Sequence, residues 1–349
     1  MKIGVGLDQR LALAIDGYEA LTDTALAHGY ESIWTNSMAV PDAFHVCSAW
    51  SRRSKELTGS PIRTGIAVIP APKSWKLESL INQAATLGQI AQGNFVLGIG
   101  SGGAGPAYWE SAHLPNRPIA VMRDYVTVLR RLFAGEEVTY TGPAITLDHE
   151  RLPQAISGVP VYLAALGPQM MQLGGEVADG ICLNWATPEQ IAWSDAQVRV
   201  GAARAGRARE ELTMSMYIRV CIDDDVAAAR RAFGVQVLSY GLARPGVDRT
   251  LSYRGHFGRM GFDDLFLELE ERRSTGTPIA ELVDIVPDDL LLQVGYFGPA
   301  KGAPEHFARL AGGLDEAIVR IITARKGIEP NVSAMDALTP AKIRSAIAG

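Results

Sequence analysis

Eight short apolar runs punctuate the 349-residue chain, and most are followed by a stretch with helical spacing. They cover residues 3–7, 32–36, 63–69, 95–99, 160–165, 180–184, 213–222 and 317–323. Most are continuous in Val, Ile, Leu and Ala rather than alternating. Strands covered by helices on both faces have that composition. The intervening stretches carry helix signals. Residues 16–28 repeat Tyr18, Leu21 and Ala25 and stop at Gly29, and residues 76–92 repeat Leu80, Ala84 and Leu87 and stop before Gly93. Thr187-Pro188-Glu189 and Asp223-Asp224-Asp225 are helix starts with side-chain oxygens to cap them. A strand-first alternation of this number predicts an α/β protein with a closed (β/α)8 TIM barrel; a doubly wound open sheet is the rival.

Two stretches exceed a plain barrel. Residues 137–147 read as a hairpin around Thr141-Gly142-Pro143. Residues 238–294, before the last strand, hold more than one helix (262–273 and 279–285) and read as an insertion. It is either a lid over the barrel mouth or an appendage packed outside. The whole chain, 1–349, is read as a single domain.

Charge and cysteine usage narrow the function classes. A net charge of −5 argues against a nucleic-acid partner. The apolar runs fall far short of the roughly 18 residues that span a bilayer, so no membrane partner is expected. The start at Met1-Lys2-Ile3-Gly4 lacks the basic and long apolar regions of a secretory signal. Cys47, Cys182 and Cys221 lie far apart without metal-ligand spacing. The expectation is a cytoplasmic protein with no disulfide framework and no metal site.

Barrel chemistry sits at the C-terminal strand ends. Gly98-Ile99-Gly100-Ser101-Gly102-Gly103 formally matches the dinucleotide pattern G-x-G-x-x-G. Gly105-Pro106 follows, however, and the acid at the right distance, Asp124, falls inside a predicted helix. The better reading is a strand exit that lets a flat ligand approach the main chain, since glycine has no Cβ to block it. Leu163-Ala164-Ala165-Leu166-Gly167-Pro168 opens a helix at Gln169, whose first N–H groups could receive an anion such as a phosphodiester. A simple tight turn is the alternative. Ala67-Val68-Ile69-Pro70 could stand under a ring system or pack the barrel core.

Taken in order, several segments resemble the bacterial luciferase-like flavin and deazaflavin oxidoreductases. They are residues 1–7, Gly29-Tyr30-Glu31-Ser32-Ile33-Trp34, residues 62–72, residues 85–100, residues 160–167 and Ala178-Asp179-Gly180. The likeness runs through about the first 220 residues, returns near 317–327, and is strongest to the subgroup that uses the deazaflavin coenzyme F420. The resemblance implies the same barrel with an insertion before its last strand. It also implies F420, or alternatively FMN, at the C-terminal mouth, and a homodimer joined by helices near the second and third strands, where residues 77–90 are apolar. By the same resemblance, Ala67 and Val68 match a non-prolyl cis peptide that bulges behind the central ring. Ser101, Gly102 and Gly103 match the loop beside the ring and its chain, and Ala165, Leu166, Gly167 and Pro168 match the turn near the phosphodiester. Asn36 and Ser37, followed by Met38, stand where relatives often carry an acid and a histidine. Gly103 and Pro106 stand where relatives place a carboxylate and an amide. Asn184 and Trp185 complete the expected cofactor site at the sixth strand end.

The implied activity is hydride transfer between reduced deazaflavin and a small organic substrate. His45, Tyr108, His113 and Tyr217 are candidate proton donors, with a surface or packing role as the alternative for each. Arg325 could meet an anionic tail or cap a surface carboxylate. Trp34, Trp109 and Trp185 lie near strand ends, Trp34 reading as core, and His149 reads as exposed. Two further readings stay open: an FMN-dependent monooxygenase, and a barrel that binds a cofactor without turnover.

Overall fold

The computed structural model describes residues 1–37, 40–153, 156 and 158–348. Eight parallel strands form the barrel: β1 (Lys2–Gly6), β2 (Ser32–Thr35), β3 (Arg63–Pro70), β4 (Phe95–Gly100), β5 (Val161–Ala164), β6 (Gly180–Asn184), β7 (Thr213–Ile222) and β8 (Glu316–Ile321). Each pairs with its neighbour in sequence order, and β8 returns to β1 through Lys2↔Glu316 to Gly6↔Arg320. The ring is closed, so the open-sheet rival is excluded. Every strand falls where the apolar runs place it. The predicted caps hold as well: Thr187 accepts from the Gln190 N–H and Asp225 from the Ala228 N–H.

Parallel strands need helices on the outside to bury their outer faces, and these supply the largest core. Helix Leu77–Ile90 turns Leu80, Ile81, Ala84, Leu87 and Gly88 inward. Its apolar face is therefore satisfied within the chain. Helix Ala43–Thr58, capped by Asp42, was not expected; it buries Phe44, Val46, Cys47 and Trp50 while carrying Arg52 and Arg53 outside. The hairpin forms from Val138–Thr141 and Thr146–Glu150. It is anchored by the buried Asp124, which accepts from Tyr140 Oη at 2.8 Å and from the Ala144 N–H at 2.7 Å.

The insertion has its own apolar core. Helices Val226–Gly241, Ser252–Phe257, Asp263–Ser274 and Ile279–Ile285 enclose Phe233, Phe257, Phe262, Phe266, Leu282 and Val283. Buried Arg254 ties two of them together by donating to Glu270 at 2.8 Å and to Asp263 at 2.6 Å. A short strand, Gly295–Gly298, follows and pairs with Arg219–Ile222, the upper half of β7 that β6 does not reach. Inside the ring, Trp34, Val96, Tyr162, Cys182, Tyr217 and Ile318 form a third cluster that fills the lumen. Among the described residues, no helix is long and apolar enough to cross a membrane.

Candidate functional site at the barrel mouth

Above the lumen cluster, one half of the mouth is bounded by very small side chains. Between Ile66 and Ile69, β3 spends one more residue than β4 does between Leu97 and Ile99, which is a bulge. The bulge turns both Ala67 and Val68 toward the lumen cluster, where Ala164 also packs. The Ala67–Val68 peptide is cis, as the resemblance implies. β4 leaves room for the bulge: a Cβ on Gly98 would strike the Ile66 carbonyl, and one on Gly100 would stand 3.0 Å from Val68 Cγ2 and 3.1 Å from Ala164 Cβ. Among the described residues, the Oδ1 of buried Asn36, just past β2, has no partner.

The other half carries charge. Asp8, beyond β1, is paired with Arg320 of β8, and both are buried. The Arg320 guanidinium lies 4.5 Å over the Tyr217 ring, and its Nη1 is buried without a partner among the described residues. Arg219 of β7 is only 4% exposed and forms no ion pair among the described residues. It is sandwiched by aromatic rings instead, 4.0 Å from the Trp185 centroid and 5.0 Å from the Tyr240 centroid. It donates through Nη1 to Asn184 Oδ1 and, at 3.4 Å, through Nη2 to Tyr240 Oη. Asn184 Nδ2 donates in turn to Tyr253 Oη at 2.7 Å. Burial pushes the Tyr240 phenol up, but the charges of Arg219, Arg10 and Arg320 outweigh it and hold Tyr240 below the ordinary tyrosine value.

Strand alternation sorts the expected cofactor residues. Asn36, Ala67, Val68 and Asn184 reach the mouth. Ala165 does not: its side chain packs in the outer core, and Ala164 is the inward residue. Gly102 and Gly103 are backed by Pro70 and Tyr108, so their missing Cβ atoms make room for the chain's own side chains. Tyr108 holds this loop by donating to the Ser101 carbonyl at 2.7 Å. Gly167 has open space where a Cβ would lie, and Pro168 starts the helix Pro168–Val177. Ser37 is half-buried, and Met38 lies outside the described residues. Trp185 offers no open ring face, since Phe233, Tyr240, Phe257 and Arg219 enclose it. Trp34 and Trp109 are likewise buried.

The expected proton donors do not converge. His45 has a 76% exposed side chain and pairs with Asp42 at 2.9 Å. His113 is exposed beyond the helix Pro106–Ser111. Tyr217 is buried below the mouth and donates to the Thr35 carbonyl at 2.8 Å; burial pushes its phenol far up. Arg325 caps the Asp223 carboxylate at 2.8 Å, and His149 is exposed beside Glu137. What sequence reading missed is Arg219, Arg320 and Tyr240, together with His256. Nε2–H of buried His256 donates to the Trp185 carbonyl at 2.7 Å, and its Nδ1 has no partner among the described residues. Burial pushes His256 down to about 4. No group of three His, Cys, Asp or Glu side chains could hold a metal ion among the described residues.

A closed barrel with a bulged third strand, small residues on one side of its mouth and an insertion over the other defines a luciferase-like barrel. The chain belongs to the luciferase-like monooxygenase family, whose sequence pattern matches residues 4–312. It is 31% identical over 157 residues to a 5,10-methylenetetrahydromethanopterin reductase of Methanolobus tindarius, covering 44% of this chain and 46% of that one. The match thus spans less than half of the reductase. An F420-dependent glucose-6-phosphate dehydrogenase of Nakamurella multipartita is 28% identical over 233 residues, 60% of this chain and 65% of its own. In fold, the coenzyme F420-dependent tetrahydromethanopterin reductase of Methanopyrus kandleri superposes with a TM-score of 0.75 at 19% identity, covering 97% of this chain and 99% of that one.

Proposed function

We propose that this chain is an F420-dependent oxidoreductase that transfers a hydride between reduced deazaflavin and a small organic substrate, working as a cytoplasmic homodimer. The observation that carries the reading is the pairing of a small-residue wall with orphaned polar atoms. Ala67, Val68 and Ala164 form one wall with small side chains, set by a bulge that Gly98 and Gly100 let stand against β4, while among the described residues Asn36 Oδ1 and Arg320 Nη1 are buried with no partner. An unpaired buried polar group is costly, about 1–3 kcal/mol, unless a ligand satisfies it. The pyrimidine edge of a deazaflavin has one N–H and flanking carbonyls, which suit an acceptor at Asn36 and a donor at Arg320.

The turn at Leu166, Gly167 and Pro168 suits a phosphodiester, because Gly167 is open and a helix N-terminus follows. Arg259 donates to the Leu166 carbonyl at 2.7 Å and lines a cleft of about 420 Å³ with Gln190, Trp193 and Gln293. That cleft would give a carboxylated tail its way out. Ser101, Gly102 and Gly103, held by Tyr108, would border the ring's chain. When bound, F420 supplies a two-electron hydride carrier. The insertion excludes water from the charged half of the mouth, and Tyr240 Oη, held below its usual value, is the group we assign to deliver a proton.

The test is a fluorescence titration of the purified protein with F420, FMN and NADPH. F420 is expected to bind at micromolar concentration or tighter, and the others at least tenfold more weakly. FMN binding with oxygen uptake would instead make it a monooxygenase. F420 binding with no turnover of a broad carbonyl and imine panel would make it a carrier.

A further inference from the structure

We infer that Arg219 anchors a carboxylate on the substrate. The inference takes the deazaflavin reading for what lies beside it, but the anchor is built from this chain's residues alone. The guanidinium groups of Arg10 and Arg219 lie 5.3 and 5.0 Å from the Tyr240 ring centroid, the charge of Arg320 also acts on Tyr240, and Asp8 is paired with Arg320. Asp8 also receives the Arg10 N–H at 2.8 Å. Arg219 is left with neutral partners: Asn184, Tyr240, and the Trp185 ring.

A buried cation without a counter-ion loses solvation that ring faces return only in part. Such a site favours an incoming anion. The surroundings also fix where it would arrive. Asn184 is held by Tyr253 and orients one guanidinium nitrogen, while the 3.4 Å contact to Tyr240 is long for a hydrogen bond. That loose contact is the one a carboxylate oxygen replaces, which brings the anion against Tyr240 Oη. A planar guanidinium takes a carboxylate through two parallel hydrogen bonds, a geometry a neutral amide cannot match in charge.

An anionic oxygen could come from the substrate or from the deazaflavin itself. The substrate is favoured because Arg219 stands on the half of the mouth under the insertion, across from the small-residue wall. Arg320 and Asn36 already offer the orphaned atoms suited to the ring edge.

The test measures benzoate and benzamide binding by calorimetry, and F420 binding by fluorescence, in the parent protein and in Arg219→Met. Benzoate is expected to bind the parent at least tenfold more tightly than benzamide. Arg219→Met should erase that preference while changing F420 affinity less than threefold. Equal binding of acid and amide, or a preference surviving in Arg219→Met, overturns the anchor. So does a tenfold loss of F420 affinity with benzoate unaffected, which assigns the cation to the cofactor. Benzoate selectivity without any F420 binding would keep the anchor and remove the deazaflavin reading. If Arg219→Met does not fold, Asn184→Leu leaves the guanidinium present but unoriented. It should weaken benzoate at least threefold, and no loss contradicts the anchor.

Discussion

Across β3, β4 and β5 the mouth is bounded by Ala67, Val68, Gly98, Gly100 and Ala164, whereas across β6, β7, β8 and the end of β1 it is bounded by Asn184, Arg219, Arg320 and Asp8. Both sets occupy inward positions near the same strand ends, yet they are supported differently. The first half is defined by side chains that are missing, and the main chain and its bulge make the surface. The second half is defined by charge held beneath a separate apolar core, with Trp185, Phe233 and Cys221 continuing upward into the insertion. Shape and charge are therefore assigned to different strands.

That division can be broken most severely at Asp8. Asp8→Asn leaves the Arg320 guanidinium buried without its carboxylate, and removing one partner of a buried pair costs about 3–5 kcal/mol. Urea unfolding should show that loss, with the small-residue half unchanged in sequence. The next effect is on pH. His256 titrates near 4 in the fold against an ordinary value of 6.5. Between those values the unfolded chain takes up a proton that the fold refuses. The His256 contribution to stability should therefore be constant above pH 7 and fall as pH drops from 6.5 to 4, by about 3 kcal/mol in all. His256→Gln should flatten that part of the curve; an unchanged slope would assign the acid sensitivity elsewhere.

The barrel was legible because strands buried on both faces write unbroken apolar runs, and eight of them with intervening helices leave few other closures. The hairpin was legible from Thr141-Gly142-Pro143. The strand Gly295–Gly298 was not: four residues, two of them glycine, give no periodic signal, and the strand exists because the upper half of β7 lacks a neighbour on its β6 side. The shape half of the site was largely readable from glycine and alanine at strand exits. Ala165 for Ala164 is a period-two error that only the barrel register resolves, and Gly102 and Gly103 make room for Pro70 and Tyr108, contacts that no local pattern signals. The charge half was invisible. Arg219 and Arg320 sit inside apolar strands, where sequence reading takes an arginine as an interruption, and Tyr240 meets them only because the insertion folds back over β7. His45 and His113 attracted attention by residue type, but the helix Ala43–Thr58 and the turn after Pro106–Ser111 hold them at the surface.

The affinity for F420 of the Ala164→Leu variant tests the ring site most directly, because the substitution adds bulk to the small-residue wall and leaves Asp8, Arg219 and Arg320 untouched. The parent should bind at micromolar concentration or tighter, and the variant at least tenfold more weakly with a similar urea midpoint. Equal binding by parent and variant, with both folded, would contradict the claim that this wall receives the ring.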